Sequence, residues 1–257
     1  MAYKVQRYGW VPDLPDARDH LYAAPMAMLK KLPASVDLTS SFPDPPYNQG
    51  ELGSCTANAI AAAIQFGRKK HGQTPNFIPS RLFIYYNERA MEGTVNSDSG
   101  AQIRDGIKSV VKLGDCREDP TWPYDVTKFT AKPPPPAFTE AANYQVTSYS
   151  RVAQTLNQLK GCLASGYPFV FGFTVYESFE SPEVASSGDM PMPAATEQVM
   201  GGHAVVGAGY DDATQRFLIR NSWGTDWGKN GYFTMPYAYI TENNLADDFW
   251  TIRLVEE

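Results

Sequence analysis

The chain keeps its two kinds of periodicity in separate halves, and that separation limits the fold more than any single motif. Three helix-forming runs lie in the first half. One starts at Ser54 or Cys55, with Ser54 as the expected N-cap, and continues through Ala59, Ala61-Ala62-Ala63 and Ile64 to about Lys70, before His71-Gly72. A second spans Ser80 to Met91 and is closed by Gly93; a third spans Gln102 to Leu113 and stops at Gly114. The second half reads mainly as strand: Phe169–Val175, His203–Ala208, Arg216–Arg220, Tyr232–Met235 and Phe249–Leu254, with Asp211-Asp212 as a hairpin turn. One helix, Arg151 to Ser165, interrupts it, capped by Ser150 and ended by Gly166. Glu183 to Val199 reads as a long loop. The four prolines Pro133 to Pro136 read as an extended crossing between the halves rather than as a ligand for a proline-binding module. Helices first and strands afterwards predict an α+β chain of two lobes, not an alternating parallel fold.

At 257 residues such a chain buries enough surface to need neither disulfide nor metal. A net charge of -6 argues against nucleic acid or an anionic membrane as partner, and no apolar run reaches the eighteen residues that suggest a bilayer span. Met1 to Arg7 lead into no apolar core, so no secretion signal is expected. The three cysteines, Cys55, Cys116 and Cys162, leave at least one thiol free, and so low a count fits a reducing compartment better than an oxidising one. A Cys116–Cys162 bridge is the less favoured alternative. No metal and no other cofactor is expected, because neither the cysteines nor the three histidines cluster.

Four residues carry the candidate chemistry. Cys55 sits at the mouth of a helix, where the dipole favours thiolate, although most free cysteines are simply small buried hydrophobes. His203 lies inside an apolar strand run after Gly201-Gly202, a place where a satisfied core histidine is also common. Asn221 follows the strand Phe217-Leu218-Ile219-Arg220 and precedes Ser222-Trp223-Gly224, so it can shape a turn or hold an imidazole N–H. Gln49, six residues before Cys55, is a loop residue or a donor to an oxyanion. Each is a modest signal. The order Gln, Cys, His, Asn is far more specific, and no chemistry is assigned to His20 or His71.

On those residues the chain resembles the papain family of cysteine peptidases. The resemblance runs from about Leu32 to Leu254. It is carried by Leu32-Pro33-Ala34-Ser35-Val36-Asp37-Leu38, by Asn48-Gln49-Gly50 and Gly53-Ser54-Cys55, and by Gly202-His203-Ala204-Val205. Arg220-Asn221-Ser222-Trp223-Gly224, Trp227-Gly228 and Gly231-Tyr232 complete it. The pattern is similar to prokaryotic members without a long pro-domain. Two departures stand out: Leu52 where the family commonly has a cysteine, and Thr56 where it has an aromatic.

The resemblance implies a papain-like two-lobe fold, with a helical lobe, an antiparallel β-barrel-like lobe and the active site in the cleft between them. It divides the chain into an arm (1–31), a mainly helical lobe with the nucleophile (32–145) and a mainly β lobe with the histidine and asparagine (146–257). It implies a cysteine endopeptidase, working as a monomer on peptide or protein substrates. In that reading Cys55 and His203 form a thiolate–imidazolium pair, Asn221 orients the imidazole and Trp223 shields their bond, while Gln49 and the Cys55 N–H stabilise the oxyanion. The substrate backbone would pair with Ser99-Gly100, and Gly201, Gly202 and Ala204 would line the pocket for the residue two before the cut. A catalytically silent binding protein and a thioester-based amide transferase are the competing readings. The arm, with helix-breaking Pro12, Pro15 and Pro25 and apolar anchors Trp10 and Tyr22, is expected to pack on the body, either over the cleft as a restraint or elsewhere as a strap.

Overall fold

The computed structural model describes residues 8–43 and 45–255; Met1–Arg7 of the expected arm, and Glu256-Glu257, lie outside them. The arm contributes a two-residue strand β1 (Leu21–Tyr22) and one helical turn α1 (Met26–Leu29) directly after Pro25. Proline is tolerated at a helix start, so it placed this turn rather than preventing it. After β2 (Ser35–Asp37) come the three long helices α2 (Cys55–Lys70), α3 (Arg81–Glu92) and α4 (Ile103–Leu113). Then follow α5 (Pro135–Ala141), β3 (Val146–Val152), α6 (Leu156–Ala164), β4 (Phe169–Tyr176), α7 (Pro182–Ser187) and β5 (Val199–Asp211). The chain closes with β6 (Arg216–Arg220), β7 (Tyr232–Pro236), α8 (Tyr237–Ile240) and β8 (Ala246–Val255).

Almost the whole of α2 is buried. Its alanines explain how: small side chains let neighbouring elements close around a helix on every side. It lies against α3 and α4 on one flank and β5 and β8 on the other, so its first residue is delivered to the junction of helices and sheet. The sheet runs β1-β3-β8-β4-β5-β6-β7, with β2 paired to β5, and is antiparallel except where β1 of the arm joins β3 in parallel. Phe169, Phe171, Phe173, Phe179, Phe217, Phe233 and Phe249 fill an aromatic core on the strand side, and Ile60, Phe66, Leu82, Ile84 and Ile103 belong to a second core around α2.

Four local expectations are corrected. Residues 151–152 end a strand rather than starting a helix, because β3 pairs with β8 through Val146–Arg151. The helix begins at Leu156, and Thr155, not Ser150, caps it by accepting the Gln158 N–H. Pro135 and Pro136 are not extended: they occupy the first turn of α5, where a missing N–H costs nothing. The 183–199 loop begins inside α7, which Ser181 caps. Ser54 makes no capping bond; its Oγ lies 2.5 Å from the Tyr124 hydroxyl and accepts from Asn58 Nδ2 at 3.0 Å. The caps at Ser80 and Gly93 form as expected. Cys55, Cys116 and Cys162 are free and buried, so the Cys116–Cys162 alternative falls.

Candidate active site

Helix α2 presents Cys55 at its first residue, and β5 carries His203 across the junction. The two are brought together through the sheet. The Cys55 sulfur accepts hydrogen bonds from the backbone N–H of Ala204, the residue next to His203, and from those of Thr56 and Gly9. His203 is fully buried, with its Nε2 2.8 Å from the side-chain oxygen of Asn221. That oxygen also accepts the Ser222 N–H at 2.8 Å, which fixes it as an acceptor and makes His203 Nε2 the protonated nitrogen. Nδ1 has no hydrogen-bond partner among the described residues. Trp223 stacks on the imidazole with ring centroids 4.9 Å apart and lies over its bond to Asn221, while Phe173 meets it edge-on.

Gln49 is buried and rigidly held. Its N–H donates to Ser222 O at 2.8 Å, its side-chain oxygen accepts from Ser222 Oγ at 2.8 Å, and Nε2 donates to Leu52 O at 3.0 Å. One of the two Nε2 hydrogens is thereby used, and the amide cannot rotate freely. Asn48 and Trp223 form an antiparallel bridge beside it, tying the loop before α2 to the loop after β6.

The arm runs through this site. Tyr8 places its ring 6.0 Å from that of His203 and 6.3 Å from Trp223, and its hydroxyl donates to Glu180 at 2.6 Å. Trp10 N–H donates to Gly202 O at 2.9 Å; Gly9 O accepts from Ala101 N at 2.8 Å, and Val11 N–H donates to Ala101 O at 3.0 Å. The arm is thus a short strand held between both sides of the cleft. Gly9 lies so close to Gly53 that a β-carbon there would overlap the Gly53 carbonyl. Behind the cleft, Arg104 grips both Asp19 oxygens and Leu14 O, and Asp13 accepts from Trp250 Nε1 and Arg104 N.

All the expected binding residues surround this strand except one. Gly100, Gly201 and Gly202 each lie where an added β-carbon would meet Gly9, the Tyr8 ring or Trp10. The strand pairs with Ala101, one position beyond the expected Ser99-Gly100, and Ser99 Oγ turns back to Thr94 and Gly100 O. Reasoning from residue types missed Ala101, Tyr8 and Gly9; an aromatic–glycine–aromatic triplet in an otherwise polar arm was the available signal. Outside the site, His71 ends α2 against Arg253 O and the Tyr167 hydroxyl. Among the described residues no cluster of histidine, cysteine and carboxylate side chains could hold a metal, and no helix is long and apolar enough to cross a membrane.

Burial decides the ionisation of the covered site. It pushes the Cys55 thiol up to about 12, against the pull of the three backbone N–H groups, and lowers His203 to about 4, against its bond to Asn221. With the arm in place the pair is therefore thiol and neutral imidazole, not the expected thiolate–imidazolium, because the arm removes the water that would solvate separated charges. The sign is testable. Raising a thiol's pKa lowers its thiolate fraction at neutral pH, so alkylation of Cys55 by iodoacetamide should stay slow up to about pH 9 and climb above it. Peptide mapping checks this, and rapid modification at pH 6 would contradict a covered, neutral thiol.

Comparison with known proteins agrees with this geometry. The model of the papain family cysteine protease matches residues 32–250, which excludes the arm. A peptidase C1-like protein of Acanthamoeba polyphaga mimivirus, L477, is 41% identical over 275 aligned positions, covering 98% of this chain and 88% of its own. The crystal structure of xylellain, a cysteine protease from Xylella fastidiosa, superposes with a TM-score of 0.91 at 50% identity, covering 97% of this chain and 96% of that one. The procathepsin B S9 structure from Trypanosoma congolense, at 18% identity and a TM-score of 0.77 over 98% of this chain and 87% of that one, shares the fold. The chain belongs to the papain family of cysteine proteases and is a papain-like cysteine endopeptidase, a hydrolase of peptide or protein substrates.

Proposed function

We propose that the enzyme cleaves peptide bonds through a thioester on Cys55, and that its arm, residues 1–31, restrains it by lying in the cleft between a helical lobe (32–145) and a β lobe (146–257). The observation that carries this reading is the pairing of the Cys55 sulfur with Ala204 N–H beside an imidazole whose Nε2 is committed to Asn221 and whose Nδ1 is unclaimed. Nδ1 is then the nitrogen that takes the thiol proton, leaving thiolate and imidazolium once water enters. The thiolate attacks the substrate carbonyl carbon, and the oxyanion draws the Cys55 N–H and the second Nε2 hydrogen of Gln49. Imidazolium Nδ1–H protonates the leaving amine; water, deprotonated by the same nitrogen, then hydrolyses the thioester. Asn221 keeps the ring from rotating, and Trp223 covers that bond. Every part comes from one chain, which supports a monomer.

Gln49→Ala should lower kcat about 10²-fold with KM little changed, the usual worth of one oxyanion donor. A loss under twofold would move that donor elsewhere. Covalent capture separates the peptidase from a silent binding protein: an epoxide or vinyl sulfone peptide should label Cys55 in a variant with the arm displaced. Labelling that spares Cys55, or spreads equally to Cys116 and Cys162, would oppose the assignment.

A further inference from the structure

Trp10 fills a pocket that is shaped for a large side chain. Its indole lies on Gly172 and Gly202, and a β-carbon at either glycine would collide with the ring. At the far end its Nε1 donates to Asp248 Oδ2 at 3.0 Å. Asp248 is fully buried and holds a backbone φ of 59°, a conformation uncommon outside glycine that persists only where the surroundings enforce it. Its two oxygens differ in who satisfies them. Oδ1 accepts from Arg151 of β3 at 3.1 Å, within the body. Oδ2 accepts from Trp10 Nε1 and from Asp13 N–H at 2.7 Å, and both donors belong to the arm.

We propose that Asp248 is a specificity-determining residue: when the arm leaves, its Oδ2 faces the emptied pocket without a protein donor and selects substrates whose side chain seated there ends in an N–H group. This rests on the reading of the arm as a cleft restraint. Trp10 shows the chemistry the pocket accepts, an apolar body with one donor at the tip. The nearby charges favour a cationic tip over a neutral one. Arm departure removes Asp13 and Asp19, and leaves Asp247 and Asp248 sharing Arg151, with one net negative charge among the three. A buried acceptor that loses its donor is penalised, so an apolar side chain of equal size should be about tenfold to a hundredfold worse.

The test uses the full chain carrying Gly9→Val to displace the arm, with fluorogenic peptides that differ only two residues before the cut: Arg, Gln, Met or Leu. The expected result is kcat/KM for Arg at least tenfold above Met and Leu, with Gln between. In Gly9→Val with Asp248→Asn, chosen because asparagine tolerates the left-handed backbone, the Arg-to-Met ratio should fall at least fivefold while Met turnover stays within threefold. Equal Arg and Met rates in the Gly9→Val parent would overturn the proposal without reference to any Asp248 variant, as would a preference that Asp248→Asn leaves intact. Failure of the parent to cut any of the peptides would instead strike the arm-restrained peptidase reading itself.

Discussion

Replacing Cys55 by alanine should abolish hydrolysis of peptide amides, a fall of about 10⁶-fold, with the fold retained. The size follows from the chemistry, since a nucleophile and its base act as a unit and losing the nucleophile removes nearly all the covalent pathway, as in other nucleophile–imidazole peptidases. Retention of the fold follows from the packing. Cys55 is a small residue at the end of a helix whose burial rests on Ile60, Ile64 and Phe66. Alanine removes one sulfur, keeps the helix propensity and leaves Gln49, His203 and Asn221 bonded to each other's loops. Turnover measured beside circular dichroism decides it. Undiminished hydrolysis in a well-folded Cys55→Ala protein would end the thioester mechanism.

The second large effect is activation. Gly9→Val inserts a branched side chain where the Gly53 carbonyl already occupies the space, so the strand from Tyr8 to Val11 cannot stay in the cleft. Three backbone hydrogen bonds, the Trp10 ring and its bond to Asp248 are lost together. At about 1 kcal/mol per hydrogen bond and about 2 kcal/mol for the half-buried ring, less the entropy of ordering a short strand, docking is worth about 4 kcal/mol. That corresponds to about 10³ in the population of open enzyme, and kcat/KM should rise by about that factor while a pre-organised site keeps its turnover once open. Full-length Gly9→Val and the parent, compared on one peptide, give the answer. Equal rates with the arm demonstrably displaced would make it a strap and not a restraint. Iodoacetamide should likewise modify Cys55 at neutral pH in Gly9→Val, since readmitted water relieves the burial that raised the thiol.

Much of the architecture was legible from residue order. The helices at 55–70, 81–92 and 103–113 follow from a 3.6-residue apolar repeat with Ser80, Gly93 and Gly114 as punctuation. Strands β4 to β7 follow from β-branched and aromatic runs. The misreadings share one cause: local propensity was outvoted by pairing. Val146–Val152 became a strand because β8 offered it a partner, and Pro135-Pro136 began a helix because their position within the turn, not their identity, determines what proline permits. Ser54 looked like a cap, yet Tyr124 and Asn58 claim its hydroxyl.

The candidate site divides in the same way. The order of Gln49, Cys55, His203 and Asn221 could be read from the chain, because each residue's chemistry is intrinsic to its side chain and its neighbours in sequence. What the arm does, which charge state Cys55 and His203 hold beneath it, and which carboxylate closes the pocket under Trp10 were decided by tertiary structure. Those properties arise from burial and from contacts between segments more than two hundred residues apart, such as Trp10 with Asp248, and neither leaves a mark in local sequence.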